Sequence, residues 1–118
     1  MAAGKAKMVM PGYREDVLVV LDELLDGRPD VRRGSMMGLP GYFTGKKMFA
    51  CCFDEGIGVK LPVARVAALQ AADDEIHPHM PGGRVMKEWV YIARDDVNAY
   101  RGDIDLLNEA IAFVANAA

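Results

Sequence analysis

The stretch from Met36 to Leu61, closed by Pro62, constrains the fold more than any other part of this chain. Short apolar runs alternate there with turn signals, and helical spacing is absent. Val31–Met37 reads as a first strand, and Gly38-Leu39-Pro40-Gly41 as a break. Tyr42, Phe43 and Thr44 are strand formers, and Gly45-Lys46 supplies a tight turn. Lys47–Phe53 is the next strand, and Asp54-Glu55-Gly56 turns the chain back. Ile57, Val59 and Leu61 then alternate with Gly58 and Lys60, as in a half-buried strand. This is an antiparallel meander, and so small a sheet needs a cover.

Helical segments on either side supply that cover. Val17, Leu18, Leu21, Leu24 and Leu25 recur at three- and four-residue spacing and predict an amphipathic helix over Gly12–Leu25. Gly27 suits its C-terminal cap, and Pro29 cannot continue it. Pro62 opens a second helix, with Val63, Val66, Ala67 and Leu69 inward and an end near Ala72. Asp73–Gly83 reads as a loop rich in charge, Pro and Gly. Arg84–Ala93 holds a further strand, with Trp89 and Tyr91 on one face and Val90 and Ile92 on the other. Asp95 caps a helical turn through Tyr100, Gly102-Asp103 breaks and recaps the chain, and Leu106, Leu107, Ala110, Ile111 and Val114 predict a closing helix on the sheet. Residues 1–10 read as a loose tail. The expectation is one α+β domain over residues 1–118, a two-layer fold with an antiparallel meander sheet covered by flanking helices.

One strand departs from simple amphipathy. Strict alternation puts Phe49, Cys51 and Phe53 on one face of Lys47–Phe53 and Met48, Ala50 and Cys52 on the other. Neither face is polar, so the strand is expected to be central and covered on both sides, in part by a partner subunit.

Composition narrows the function classes. At 118 residues the chain is one domain with room for a core, and its net charge of −3 argues against a protein that works by neutralising phosphates. Nucleic acid is therefore not an expected partner. The only cysteines, Cys51 and Cys52, are adjacent and read as reduced thiols in a reducing compartment. With no signal peptide and no run of ~20 apolar residues, the expected location is cytoplasmic, without a membrane span.

Met36-Met37, Gly41-Tyr42, Gly45-Lys46-Lys47-Met48-Phe49-Ala50 and Gly56–Leu61 together resemble the N-terminal domain of the TfoX/Sxy competence regulators, and more distantly the MmcQ/YjbR-like proteins. Arg84–Ala93, with Met86, Trp89 and Tyr91, is similar to the last strand of that family. The resemblance covers Met8–Ala117 and rests on turn glycines and core hydrophobes. It implies a secretion-chaperone-like α+β fold and a regulatory role, with no catalytic residues to carry over. Full-length competence regulators add a C-terminal helical domain, for which a chain ending at Ala118 leaves no room.

Chemistry-bearing residues are few. His77 and His79, beside Asp73, Asp74 and Glu75, are the metal-ligand candidates, although the set lacks the spaced Cys or His pair of a recognised zinc site. Tyr42, Lys60, Arg84 and Trp89 are candidate contacts for an anionic or aromatic ligand, since bases interleaved with aromatics can hold one. Arg32-Arg33, Lys46-Lys47 and Lys87 extend that set. Cys51 and Cys52 lack a neighbouring activator in sequence, Ser35 lacks the glycines of a nucleophile elbow, and Gly82-Gly83-Arg84 is a turn before a strand. No catalytic set and no cofactor is predicted. Met36, Met37, Met48, Met80 and Met86 suit an adaptable partner surface as well as they suit core filling. The leading expectation is a non-enzymatic regulatory or protein-interaction module, acting as a homodimer or on a protein partner. The alternatives are a small-molecule or metal-binding protein with a pocket near His77, His79, Arg84 and Trp89, and a nucleic-acid-associated regulator.

Overall fold

A computed structural model describes residues 12–117 of the chain. The tail expected at residues 1–10 lies outside the described residues. Six antiparallel strands make one sheet: β1 (Arg32–Met36), β2 (Leu39–Thr44), β3 (Lys47–Phe53), β4 (Gly56–Lys60), β5 (Ile76–Pro78) and β6 (Trp89–Ile92). Their spatial order is β1-β2-β3-β4-β6-β5, so the first four follow the chain as a meander. The helices are α1 (Glu15–Leu25), α2 (Val63–Ala72) and α3 (Ile104–Asn116), the last entered directly from a 3₁₀ segment at Val97–Asp103. The architecture is α+β, as the alternation of turn signals and helical spacing predicts.

The helices bury one face of the sheet. Tyr42, Phe49, Cys52, Ile57, Val59 and Val90 from the strands join Val17 and Leu21 of α1 and Leu107 and Val114 of α3 in a single core. Leu21 and Leu107 are fully shielded, each worth roughly 1.5–3 kcal/mol relative to an exposed leucine. Acidic Glu15 and Asp16 occupy the first turn of α1, where the helix dipole favours negative charge.

Several boundaries differ from the sequence-based expectation. The break at Gly38-Leu39-Pro40-Gly41 shrinks to a two-residue turn, Met37-Gly38, with φ of 53° and 83°. Two consecutive left-handed residues are the mark of a tight hairpin turn, so Leu39, Pro40 and Gly41 join β2, with Pro40 opposite Ser35. Three residues of the expected Asp73–Gly83 loop form β5 at the sheet edge, where Ile76 is buried opposite Ile92. The last strand starts at Trp89 instead of Arg84. In α2 only Val66 is buried, while Val63 and Ala67 face solvent, because this helix rests mainly on the outer strands β5 and β6. The cap of the 3₁₀ segment is Asp96, which accepts the Asn98 N–H at 2.9 Å, instead of Asp95. Asp103 stands at the N-cap position of α3 as expected, but Gly102 belongs to the 3₁₀ segment and the Asp103 carboxylate makes no capping bond, being engaged by Arg94 instead.

The largest difference concerns β3. Tyr42 pairs with Ala50 but Phe43 pairs with Met48, leaving Phe49 as the extra residue of a β-bulge. The bulge breaks the period of two. Phe49, Ala50 and Cys52 enter the core under the helices, and Met48, Cys51 and Phe53 face the other way. Among the described residues that second face carries no helix. The chain's own loop between β5 and β6 covers part of it.

Candidate functional site

The face of the sheet opposite the helices has a floor of missing side chains. Gly34, Gly41, Cys51, Gly58, Tyr91 and His77 form one register row across all six strands. Three of the six are glycines. Glycine inside a strand weakens the strand and marks a place where another group approaches closely. Here a Cβ on Gly58 would sit 3.1 Å from both the Cys51 Sγ and the His79 Nε2, and one on Gly41 would lie 2.7 Å from the Met48 Sδ.

Above this floor lies a half-enclosed trough of about 480 Å³. Phe53, Cys51 and Met48 from β3 and Leu39 from β2 form its base, and Met36 and Met37 form one wall. His79, Pro81, Met86 and Trp89 form the other. The second wall is the β5–β6 loop, held in shape where the Met86 N–H donates to the His79 carbonyl at 2.9 Å and the Gly83 N–H donates to that of Met80 at 3.2 Å. Among the described residues, no charged side chain lines the cavity.

His79 is the most informative residue of the trough. It is only 4% exposed. Its ring lies edge-on to Phe53 at 5.3 Å between centroids, stacked on Tyr91 at 6.1 Å and tilted against Trp89 at 5.6 Å. Its Nδ1 is buried and has no hydrogen-bond partner among the described residues. Burial pushes the imidazole down to about 4, so it is neutral at pH 7. Burial likewise pushes the Cys51 thiol up to about 11. Two neutral groups facing each other across Gly58 are the reverse of an activated thiolate–imidazolium pair.

The other sequence-based candidates disperse. Trp89 lines the trough, and Lys60 places its Nζ 5.9 Å from the indole centroid while pairing with Glu88 at 3.7 Å. Arg84 is exposed on the β5–β6 loop and does not line the cavity. Tyr42 is buried on the opposite, helix-covered face, where its hydroxyl donates to the Asp22 Oδ1 at 2.8 Å. Burial and that carboxylate hold the phenol far above its usual range. The expected basic edge does not assemble either: Arg33 pairs with Asp22 at 3.4 Å, and Arg32 lies over the Phe43 ring at 4.7 Å. His77 is exposed beside Tyr91 while His79 is buried. Among the described residues, no three of His, Cys, Asp and Glu gather as metal ligands. Cys51 and Cys52 are both free and point to opposite faces.

Most of the trough was not singled out from sequence as a site. Gly41 was assigned to a break and Gly58 to the polar side of a strand. The available signal was glycine at alternate positions of strand-like runs. No protein-family model, curated protein or solved structure matches the chain. Among the described residues no helix is long and apolar enough to cross a membrane.

Proposed function

We propose that this chain is a binding module, and that the trough on the open face of its sheet receives a small, uncharged, apolar molecule. A single observation carries this reading: a cavity of about 480 Å³, lined by apolar side chains with no charged group among the described residues, holds a buried neutral histidine in its wall. Its size falls within the range of about 300–1,000 Å³ usual for small-molecule sites. The regulatory role implied by the resemblance to competence regulators fits a module that binds without reacting. Trp89 is the chain's only tryptophan and lines the cavity, so its fluorescence reports occupancy directly. A panel of uncharged aromatic and aliphatic compounds is expected to shift Trp89 emission and raise the melting temperature of the wild-type chain. Gly58→Val, whose Cβ would meet the Cys51 Sγ and His79 Nε2 at 3.1 Å and press those two lining side chains toward the cavity, is expected to abolish both responses while the far-UV spectrum stays native. Equal responses from wild type and Gly58→Val would place binding elsewhere.

A second reading has its own support. Met36, Met37, Met80, Val85 and Met86 are exposed apolar side chains on or beside the trough, and such a cluster suits contact with a second copy of the chain. Sedimentation velocity over a wide concentration range tests it: a concentration-dependent dimer supports this reading, and a monomer throughout removes it.

A further inference from the structure

Methionine is segregated in this molecule. None of the described methionines belongs to the core between sheet and helices. Met36, Met37, Met48 and Met86 line the trough, and Met80 lies between two lining residues, His79 and Pro81. Three lining methionines are also open to solvent: Met37 is 76% exposed, Met36 46% and Met86 41%. Met37 further occupies a left-handed position, φ 53°, in a turn that favours Asn or Gly. The chain therefore accepts both an exposed apolar group and backbone strain to hold a thioether at the lip of the cavity. Leucine would supply the same apolar surface. What thioethers add is adaptability and reactivity toward oxidants.

We propose that Met36, Met37 and Met86 form an oxidant-sensitive gate, at which peroxides convert the thioethers to sulfoxides and switch apolar binding off. The proposal rests on the ligand-binding reading above. With hydrogen peroxide, one oxygen bonds to Sδ as the O–O bond breaks, and the other leaves as water with both hydrogens; with an organic hydroperoxide the second oxygen leaves as the alcohol. Sulfur gives up two electrons and the peroxide takes them. A sulfoxide is polar, so placing one at the lip of an uncharged cavity opposes the burial that drives apolar binding. Cys51 is no competing target, because its thiol is buried on the floor and held protonated. Thiol-driven sulfoxide reductases reverse the change.

The test uses the full chain and the uncharged apolar dye Nile red, titrated by fluorescence before and after hydrogen peroxide, with oxidised residues mapped by peptide mass spectrometry. The untreated chain is expected to bind the dye, and oxidation at Met36, Met37 and Met86 is expected to weaken binding roughly tenfold, with the far-UV spectrum unchanged. For the variant M36L/M37L/M86L the reference is its own untreated affinity, and the same treatment is expected to leave that affinity within roughly twofold, its remaining methionines serving as the control. Treated wild type with all three sulfoxides formed but affinity within roughly twofold of untreated would overturn the gate while leaving the binding reading intact. Equal loss of affinity in the leucine variant would overturn it too. An untreated chain that binds no dye removes both.

Discussion

At the scale of single residues, His79 concentrates the cost of the site. A buried imidazole nitrogen without a partner among the described residues is a penalty the fold accepts on the trough wall. The groups packed around the ring are Phe53, Trp89 and Tyr91, with Cys51 across the Gly58 floor and no carboxylate among them. The consequence for stability has a definite sign. The folded value of about 4 lies below the ordinary 6.5, so the unfolded chain takes up the proton first. The contribution is complete above pH 6.5 and is lost as pH falls toward 4. Asp73, held below the usual carboxylate range by Arg94, loses its contribution only at lower pH. Urea midpoints of the wild type are therefore expected to fall between pH 6.5 and about 4. His79→Phe is expected to flatten that window. An unchanged slope in the variant would show that another group is responsible.

At the scale of elements, the β1–β2 hairpin and the bulge in β3 shape the trough. The hairpin tip holds Met37 and Gly38 in left-handed conformations, which fixes the register that brings Met36 opposite Leu39 at the cavity wall. Met37→Asn is expected to raise stability by about 0.5–1 kcal/mol, because asparagine tolerates that conformation better. The same change should weaken Nile red binding by removing part of the lip. Stability from urea titration and affinity from fluorescence are thus expected to move in opposite directions. A variant that loses stability would show that Met37 packing outweighs turn strain. The bulge acts in the same structural layer. Without it Phe49 would stand in the trough with Cys51, and the cavity would be filled.

At the scale of the molecule, Arg94, just after β6, ties the segment between α2 and β5 to the 3₁₀ segment that leads into α3. Its guanidinium donates to Asp103 through Nε at 3.1 Å and through a terminal nitrogen at 2.6 Å, and to Asp73 at 2.7 Å and Glu75 at 3.1 Å. The side-chain hydrogen bonds to Asp103, ahead of the cost of burial, hold the guanidinium above its ordinary value. The Tyr100 hydroxyl adds a link, accepting from the Arg94 N–H at 2.9 Å. Asp103 is itself buried, so Arg94→Ala leaves a carboxylate without its partner and is expected to cost roughly 3–5 kcal/mol. Arg65→Ala breaks the exposed pair with Glu109, and is expected to cost far less, because solvent screens an exposed ion pair. Equilibrium urea denaturation of the two variants distinguishes a buried clamp from a surface pair. Similar losses would deny Arg94 that role.

The local order of residues determined the α+β class, the four-strand meander, α1 and α3, and the split of Trp89 and Tyr91 from Val90 and Ile92. Turn residues and hydrophobic spacing act between near neighbours, and they survive in any context that offers a core. Trp89 and His79 stood out in the sequence because few polar groups lie beside an aromatic strand, and both line the trough. Only the tertiary structure decided that Tyr42 lies under a helix, that three loop residues make β5, and that Cys51, Gly58 and His79 meet. Those outcomes depend on strand register and on one inserted residue in β3. A single-residue shift reverses which face a side chain occupies, and the partners that set the shift are distant in the chain.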